Sequence, residues 1–422
     1  MSKIQAPKGV PDYFPPDGED FLFIKHAIAH EAIKAGYKYS ELPVFEDTQL
    51  FVRGVGESTD VVSKEMYVFE DRAGRNLALR PEGTAGIMRL IAEHGLAKGS
   101  LPVKLWYAGP FFRAERPQAG RYRQLQQVGI EAVGVSDPAL DAEVIAVADQ
   151  AFKRIGLKEY RLNINSLGCV ECRANYREVL VSFLSKIALD DETQKRAKIN
   201  PLRVLDDKRP EVQKQLVNAP TISEHLCADC QQYHKEVEKF LIENEINFVP
   251  KPDLVRGLDY YTRTTFEFEH ALLGAQSGIG GGGRYDGLMK AIGGEDISGI
   301  GFGIGVDRTL LAAKAEKIAL PKPAQLEIFV VPVGVPAKSL AFSILNSLRA
   351  NGFRADFSFS DRSLKAGLKA ADRSGAKYAV LLGESELSSA KVQVKDLRSS
   401  SQTEVSLADL VKFFTKQLRK GA

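Results

Sequence analysis

WYAGPFFRAERPQAGRYRQLQQVGIEAVG, residues 106–134, holds two strand-like runs around a polar turn with Pro117 and Gly120, and so predicts a long-looped antiparallel hairpin. Alternate side chains of a strand share a face. Arg121, Arg123, Leu125, Gln127, Gly129 and Glu131 therefore fall on one side, and Tyr122, Gln124, Gln126, Val128 and Ile130 on the other. Two arginines, a glutamine, a glycine gap and a glutamate form a face that is expensive to bury without a polar ligand. The first run ends in Phe112-Arg113, with Glu115 and Arg116 following. Clustered arginines suit a phosphate, and a nearby carboxylate suits an amine or imidazole. A plain solvated hairpin remains the alternative.

Four further stretches surround this hairpin. In SGIGFGIGVDR (298–308) glycines occupy alternate positions from Gly299 to Gly305, with Ile300, Phe302, Ile304 and Val306 between them. Such a strand has one apolar face and one bare face, open to a flat ligand or to tight packing by another element. Arg308 follows at the opening of a helix, where it could meet a phosphate. SGIGGGGRYDGL (277–288) formally contains G-x-G-x-x-G, but no βαβ unit surrounds it, so the dinucleotide reading is rejected; a loop approaching a ligand is expected, with Arg284 and Tyr285 beside it. In DLVRGLDYYTRTTFEFEH (253–270) the RGLD segment is turn-like. Alternation then sets Tyr261, Arg263, Thr265 and Glu267 against Tyr260, Thr262, Thr264 and Phe266, either as an aromatic-walled polar pocket or as a structural tyrosine pair. NLALRPEGTAGIMRLIAEHG (76–95) runs from a strand into a helix that Thr84 could cap, with Glu82 placed to bind a cationic group.

Helices are expected at about 19–36, 84–94 and 136–156, the last capped by Asp137 with Pro138 in its first turn. Strand signals cluster at 101–133 and 253–305, an α+β pattern on an antiparallel sheet flanked by helices. A charged, helix-like stretch from about 165 to 250 reads as an insertion and holds all four cysteines, Cys169, Cys172, Cys227 and Cys230. Two CxxC pairs match a tetrahedral zinc site, but 54 intervening residues also allow separate free thiols or a redox pair. ALPKPAQ (319–325) reads as a linker, after which alternating strands and helices predict a small α/β domain over 325–422.

With 422 residues, two to three domains are expected. No apolar run is long enough to span a bilayer as a helix, and MSKIQAPKGVPDY has no apolar leader stretch, so the expected setting is cytoplasmic, without a membrane. Net charge is only +3, yet residues 325–422 carry 15 Lys+Arg against 9 Asp+Glu. A basic tail on a slightly acidic body fits a phosphate-bearing partner at one end, or merely a lysine-rich surface.

Five segments in order resemble histidyl-tRNA synthetase, a class II aminoacyl-tRNA synthetase, over nearly the whole chain. YSELPVFEDTQLF with Pro43 is similar to the first, dimer-forming motif of that class, FFRAERPQAGRYRQLQQ to the second and GIGFGIGVDR to the third; LVRGLDYYTRTTFEF and GGGGRYDGL are similar to the two histidine-specific segments. The resemblance implies a catalytic domain over 1–320, an anticodon-binding domain over 325–422, and a homodimer. It implies ATP as a substrate with Mg2+, L-histidine and tRNA(His) as partners, and ligation through a histidyl-adenylate. By its residue pattern Arg113 and Arg256 would hold the α-phosphate, Arg121 and Arg308 the outer phosphates, and Glu115 the adenine. Glu82, Thr84, Gln127 and Tyr260 would line the histidine site, Glu131 and Tyr261 would read the imidazole, and Tyr285 would stand nearby. Arg116 and Gln118 would approach the tRNA acceptor end. Rival readings are a non-catalytic, histidine-sensing subunit of a phosphoribosyltransferase, a class II synthetase for another amino acid, and an RNA-binding module.

Overall fold

A computed structural model describes residues 3–205, 207, 209–322, 324–359 and 363–419. Pro323, inside the expected linker, lies outside these. The chain divides into two compact units, Met1–Pro321 and Lys322–Ala422.

The first unit is built on an eight-stranded sheet. Its strands in chain order are β1 (Lys38–Tyr39), β2 (Val103–Phe112), β3 (Gln124–Val133), β4 (Tyr160–Ser166), β5 (Val249–Pro250), β6 (Thr262–His270), β7 (Gly278–Arg284) and β8 (Gly299–Gly305). Their spatial order is β1-β2-β3-β8-β7-β6-β4-β5. The six long strands pair antiparallel, and only the two-residue edge strands pair parallel. The hairpin is β2–β3, with Tyr107 opposite Gly129 and Phe112 opposite Gln124.

Alternation decides what each face of this sheet buries. Val128, Ile130, Ile300, Phe302, Ile304, Phe266 and Phe268 point to one side. There they meet α1 (Asp17–Lys34) and α3 (Pro138–Ile155) through Ile24, Ile28, Val144, Ala148 and Phe152. Each fully buried side chain of this size contributes roughly 1.5–3 kcal/mol. Asp137 caps α3 by accepting from the Ala139 N–H at 2.8 Å, as expected. The opposite face carries α2 (Thr84–Glu93) and the groups of the site.

The segment between β4 and β5 is helical. It opens with α4 (Val170–Leu184) and closes with α5 (Ala228–Glu243), whose Val237 and Leu241 return to the core behind the sheet. A small sheet of Phe45–Asp47, Val68–Glu70 and Asn76–Leu79 stands apart from the main one. After β8 the chain enters α6 (Val306–Ala315).

Several expectations change. The 277–288 glycine cluster is not a loop: β7 runs through it in the middle of the sheet, where a Cβ at Gly282 would strike the backbone of β8. Arg284 is fully buried in the protein and paired with the buried Asp141. β3 begins at Gln124, so the shared face covers Leu125, Gln127 and Glu131 while Arg121 and Arg123 belong to the preceding loop.

The second unit contains β9 (Ile328–Pro332), α7 (Ala337–Ala350), β10 (Ala355–Phe357), α8 (Leu364–Arg373), β11 (Tyr378–Leu382), β12 (Lys391–Asp396), β13 (Gln402–Ser406) and α9 (Leu410–Leu418). Its sheet has the order β10-β9-β11-β12-β13, parallel on one side of β11 and antiparallel on the other. Ile328, Val330, Leu345, Leu348 and Phe414 fill one face, and Val331, Ala371 and Leu381 the other. β13 escaped the sequence reading because QTEVS, at the sheet edge, is largely polar: Gln402, Thr403 and Glu404 are exposed and Val405 alone is buried.

Candidate active site: a cationic cleft beside a buried carboxylate cluster

The second half of the glycine-rich face and the loop ahead of β3 enclose a cleft of about 270 Å³. Arg113, Glu115, Arg121, Gln127, Arg256 and Arg308 all line it, together with Tyr122, Glu267, Asp307, and Gly278–Gly281, Gly303 and Gly305. Four guanidinium groups therefore converge from three separate parts of the chain.

Each cation is held by oxygen acceptors that fix its direction. Arg113 donates through Nε to the Pro81 carbonyl at 3.0 Å. Arg308, in the first turn of α6, donates to the carbonyls of Gly120 at 2.8 Å and Gly278 at 2.7 Å. Arg256 pairs with Glu267 at 2.8 Å. Arg121 pairs with Glu115 and lies 3.5 Å from Glu65. The separate phosphate and adenine roles that the resemblance implies for Arg121 and Glu115 thus require this pair to open. Burial pushes the Arg308 guanidinium below its ordinary value, and the charges of Arg113 and Arg121 add to that push. Like charges held this close favour an anion between them.

Behind Gln127 lies a second, closed group. Glu131 is fully buried; its carboxylate accepts from Thr84 Oγ1 at 2.8 Å, from Tyr107 at 3.2 Å and from Tyr285 at 2.5 Å. Glu82, also buried, accepts from the backbone N–H groups of Thr84 at 2.7 Å and Ala85 at 2.9 Å, and from Tyr260 at 3.3 Å. Burial raises the Glu131 carboxyl to about 8, although hydrogen bonds from Tyr285 and Thr84 act in the opposite direction. Burial likewise raises Glu82, against the hydrogen bonds at the start of α2. Two buried carboxyl groups this close to one cleft suit a ligand that brings positive charge or N–H donors.

The helix start corrects the expected cap: Glu82 caps α2, and Thr84 is its first residue, with a hydroxyl directed to Glu131. The alternation that separated Tyr260 from Tyr261 also fails. Both precede β6, their rings lie 4.8 Å apart, and both are buried in the cluster. Arg263, expected beside Tyr261, lies at φ 46° and stacks instead over Tyr233 at 4.8 Å, with a bond to Ser136.

The bare face of β8 is only half bare. Side chains of Tyr285 and Glu131 occupy the spaces over Gly299 and Gly301, whereas Gly303 and Gly305 open into the cleft. Tyr107 fills the gap that Gly129 leaves on β3, since a Cβ there would strike its ring. Sequence reading missed Tyr107, although hairpin pairing sets it opposite Gly129. It also missed Glu267 as a wall of the cleft.

The two groups are neighbours rather than separate sites. Gln127 and Glu131 share a face of β3, about 13 Å apart at ~3.3 Å per residue. The Pro81 carbonyl holds Arg113 while the next residue, Glu82, belongs to the cluster. Arg256 lies 6.0 Å from the ring centre of Tyr261. Arg116 and Gln118 enter neither group; both are exposed on the loop between β2 and β3.

The four cysteines, far apart in sequence, meet. Their sulfur atoms all lie within 4.8 Å of one another, Cys172 and Cys230 buried and Cys169 and Cys227 half-buried. Cys169 and Cys227 stand immediately before α4 and α5.

Among known proteins, the sequence model of histidyl-tRNA synthetase matches residues 9–309, and that of an anticodon binding domain matches residues 327–417. The histidine–tRNA ligase of Saccharopolyspora erythraea is 56% identical over 411 residues, covering 97% of this chain and 98% of that protein. That of Rhodococcus erythropolis is 57% identical over 410 residues, covering 97% of each. A solved structure of apo histidyl-tRNA synthetase from S. aureus is 34% identical, with a TM-score of 0.83 and coverage of 98% of this chain and 100% of that one. An α+β unit on a largely antiparallel sheet, a cationic cleft beside a buried carboxylate cluster, and these matches lead to one conclusion: the chain belongs to the histidyl-tRNA synthetase family.

Proposed function

We propose that the chain ligates L-histidine to tRNA(His) at the cost of ATP, first forming histidyl-adenylate with release of pyrophosphate, then passing the histidyl group to tRNA with release of AMP. The observation that carries this reading is the adjacency of four arginines and two buried carboxylates across Gln127. One half suits a triphosphate and the other an amino acid with a nitrogenous side chain.

The reaction needs no protein nucleophile. The histidine carboxylate attacks the α-phosphorus in line, and the bond to pyrophosphate breaks. Arg113 and Arg256, which both line the cleft, are assigned to the α-phosphate; Arg121 and Arg308 are assigned to the outer phosphates. ATP enters as its Mg2+ complex, and that ion neutralises phosphate charge when bound. Mg2+ takes carboxylate and phosphate oxygens, and Glu267 in the wall of the cleft would supply a carboxylate once its pair with Arg256 opens. Positioned charge supplies most of the rate in such phosphoryl chemistry. Glu115 is assigned to the adenine after its pair with Arg121 opens.

Glu82, Thr84, Gln127 and Tyr260 are assigned to the histidine backbone groups, and Glu131 and Tyr261 to the imidazole nitrogens, with Tyr285 holding Glu131. A side chain without matching N–H groups would leave these buried groups unpaired, which supports discrimination of up to about 10⁴–10⁵. Exposed Arg116 and Gln118 suit the tRNA acceptor end, and the 325–422 domain the anticodon. We assign the catalytic domain to 1–320, with its helical insertion at about 165–250.

The chain is further proposed to act as a cytoplasmic homodimer. Val44, Phe45, Val68 and Phe69 are all exposed on or beside the small sheet next to the first motif, with the Phe45 and Phe69 rings 6.0 Å apart, apolar surface suited to a second copy. No helix among the described residues is long and apolar enough to cross a membrane. The four convergent thiols are assigned a structural Zn2+.

Transfer of labelled histidine to purified tRNA(His), with ATP required and other tRNAs inactive, is the test. Histidine binding without any charging would favour the non-catalytic reading instead.

A further inference from the structure

Resting on the zinc assignment, we propose that the four-cysteine centre anchors the Arg256–Tyr261 loop, so that the metal tunes the affinity for the amino acid. A tetrahedron of thiolates around zinc, with bonds of ~2.3 Å, separates its sulfurs by roughly 3.8 Å. Here Cys169 and Cys172 sulfurs lie 3.6 Å apart and all four lie within 4.8 Å. The Cys227 N–H also points at the Cys172 sulfur at 3.0 Å, which suits a thiolate.

The backbone around this knuckle is tied directly to the loop. Gly168, at φ 64°, lets the chain turn against Cys172; a Cβ there would lie 2.5 Å from the Cys172 Cβ. Leu167 N–H donates to the Arg263 carbonyl at 2.7 Å, and Arg263 N–H donates to the Gly168 carbonyl at 2.9 Å. One residue beyond Cys172, Arg173 donates to the carbonyls of Tyr261 at 3.1 Å and Asp259 at 3.4 Å. Farther along the same insertion, Arg203 and Asn200 hold the Asp259 carboxylate at 3.2 and 3.0 Å. The loop that carries Arg256, Tyr260 and Tyr261 therefore rests on the insertion, and the cysteines join that insertion's first and last helices. Removing the metal frees α4 from α5 and lets the Arg173 grip drift. A displacement of about 1 Å in a substrate-positioning group costs up to 10²-fold.

The test uses the full chain. Metal analysis of protein purified without chelator should find about one zinc per chain, and Co2+ in its place should give the strong visible bands of a tetrahedral thiolate site. Cys172→Ser should lose the metal. In pyrophosphate exchange its KM for histidine should rise about tenfold to a hundredfold and kcat should fall as Arg256 moves with the loop, while the KM for ATP, held also by Arg121 and Arg308, moves less than about threefold. Arg173→Ala should keep the zinc and show the same split, which separates positioning from metal loss and decides the matter if Cys172→Ser fails to fold. Protein without metal, its four thiols free or oxidised to disulfides, would overturn the zinc assignment and the anchor with it. Full zinc with an unchanged KM for histidine in Arg173→Ala would overturn the anchor and leave the zinc standing.

Discussion

Glu131 shows how far a single side chain can be followed. An unfolded Glu titrates near 4.5, whereas burial raises this one to about 8. Between those values the folded protein keeps a proton that the unfolded chain has lost. Its contribution to stability is therefore complete below pH 4.5 and is lost as the pH climbs to about 8. Glu131→Gln should be more stable than the parent by a margin that grows across that window to several kcal/mol, at roughly 1.4 kcal/mol per unit. Denaturant unfolding at pH 5 and pH 8.5 reads it; a margin independent of pH would remove the titration. The same substitution should raise the KM for histidine at least tenfold and the KM for ATP little, because the proposed imidazole partner is gone. Arg256→Ala should lower single-turnover adenylate formation by about 10²–10³ while the protein stays folded. A near-normal rate would take Arg256 out of the site. At this scale the sequence was most legible on β3, where period two alone puts Gln127 and Glu131 on one face. It was least legible at Tyr260 and Tyr261, because period two does not apply to a turn.

Among the elements, β8 makes the sharpest demand. A Cβ at Gly301 would overlap the Glu131 carboxylate and the Ile130 carbonyl, whereas one at Gly305 meets nothing nearer than 3.7 Å. Gly301→Ala should cost about 1–3 kcal/mol of stability through overpacking. Gly305→Ala should leave stability nearly unchanged and raise the KM for ATP. Equal thermal stability of the two variants would contradict this division of the strand. The alternating glycines were readable as a bare face, but not that two of the four spaces belong to the protein's own side chains. That depends on Glu131 in β3, which is distant in sequence, and on Tyr285 just after β7. The 277–288 glycines misled for a related reason: glycine ordinarily argues for a loop, and here it permits close packing of β7 between β6 and β8. Chain alternation alone could not bring the two CxxC pairs together either. The return of α5 to the core does so, and it involves contacts from Val237 and Leu241 that no local pattern announces.

For the molecule as a whole, the two units have separate cores. A chain ending at residue 321 should retain histidine-dependent pyrophosphate exchange and lose most tRNA charging; undiminished charging would deny the tail its proposed role. The tail's surplus of positive charge fits that role. Sedimentation should give about twice the 46.4 kDa chain mass, and Phe45→Glu with Phe69→Glu should shift it to one chain. An unaltered dimer in that variant would place the interface elsewhere. The two units divide after Pro321, and the stretch ALPKPAQ around it reads as a linker from its prolines. Most direct of all is ATP–pyrophosphate exchange with each of the twenty amino acids in the absence of tRNA. Exchange with histidine alone is expected, because the cleft supplies the phosphate chemistry and the carboxylate cluster chooses the amino acid. Exchange with another amino acid, or none in a protein that still binds histidine, would contradict it.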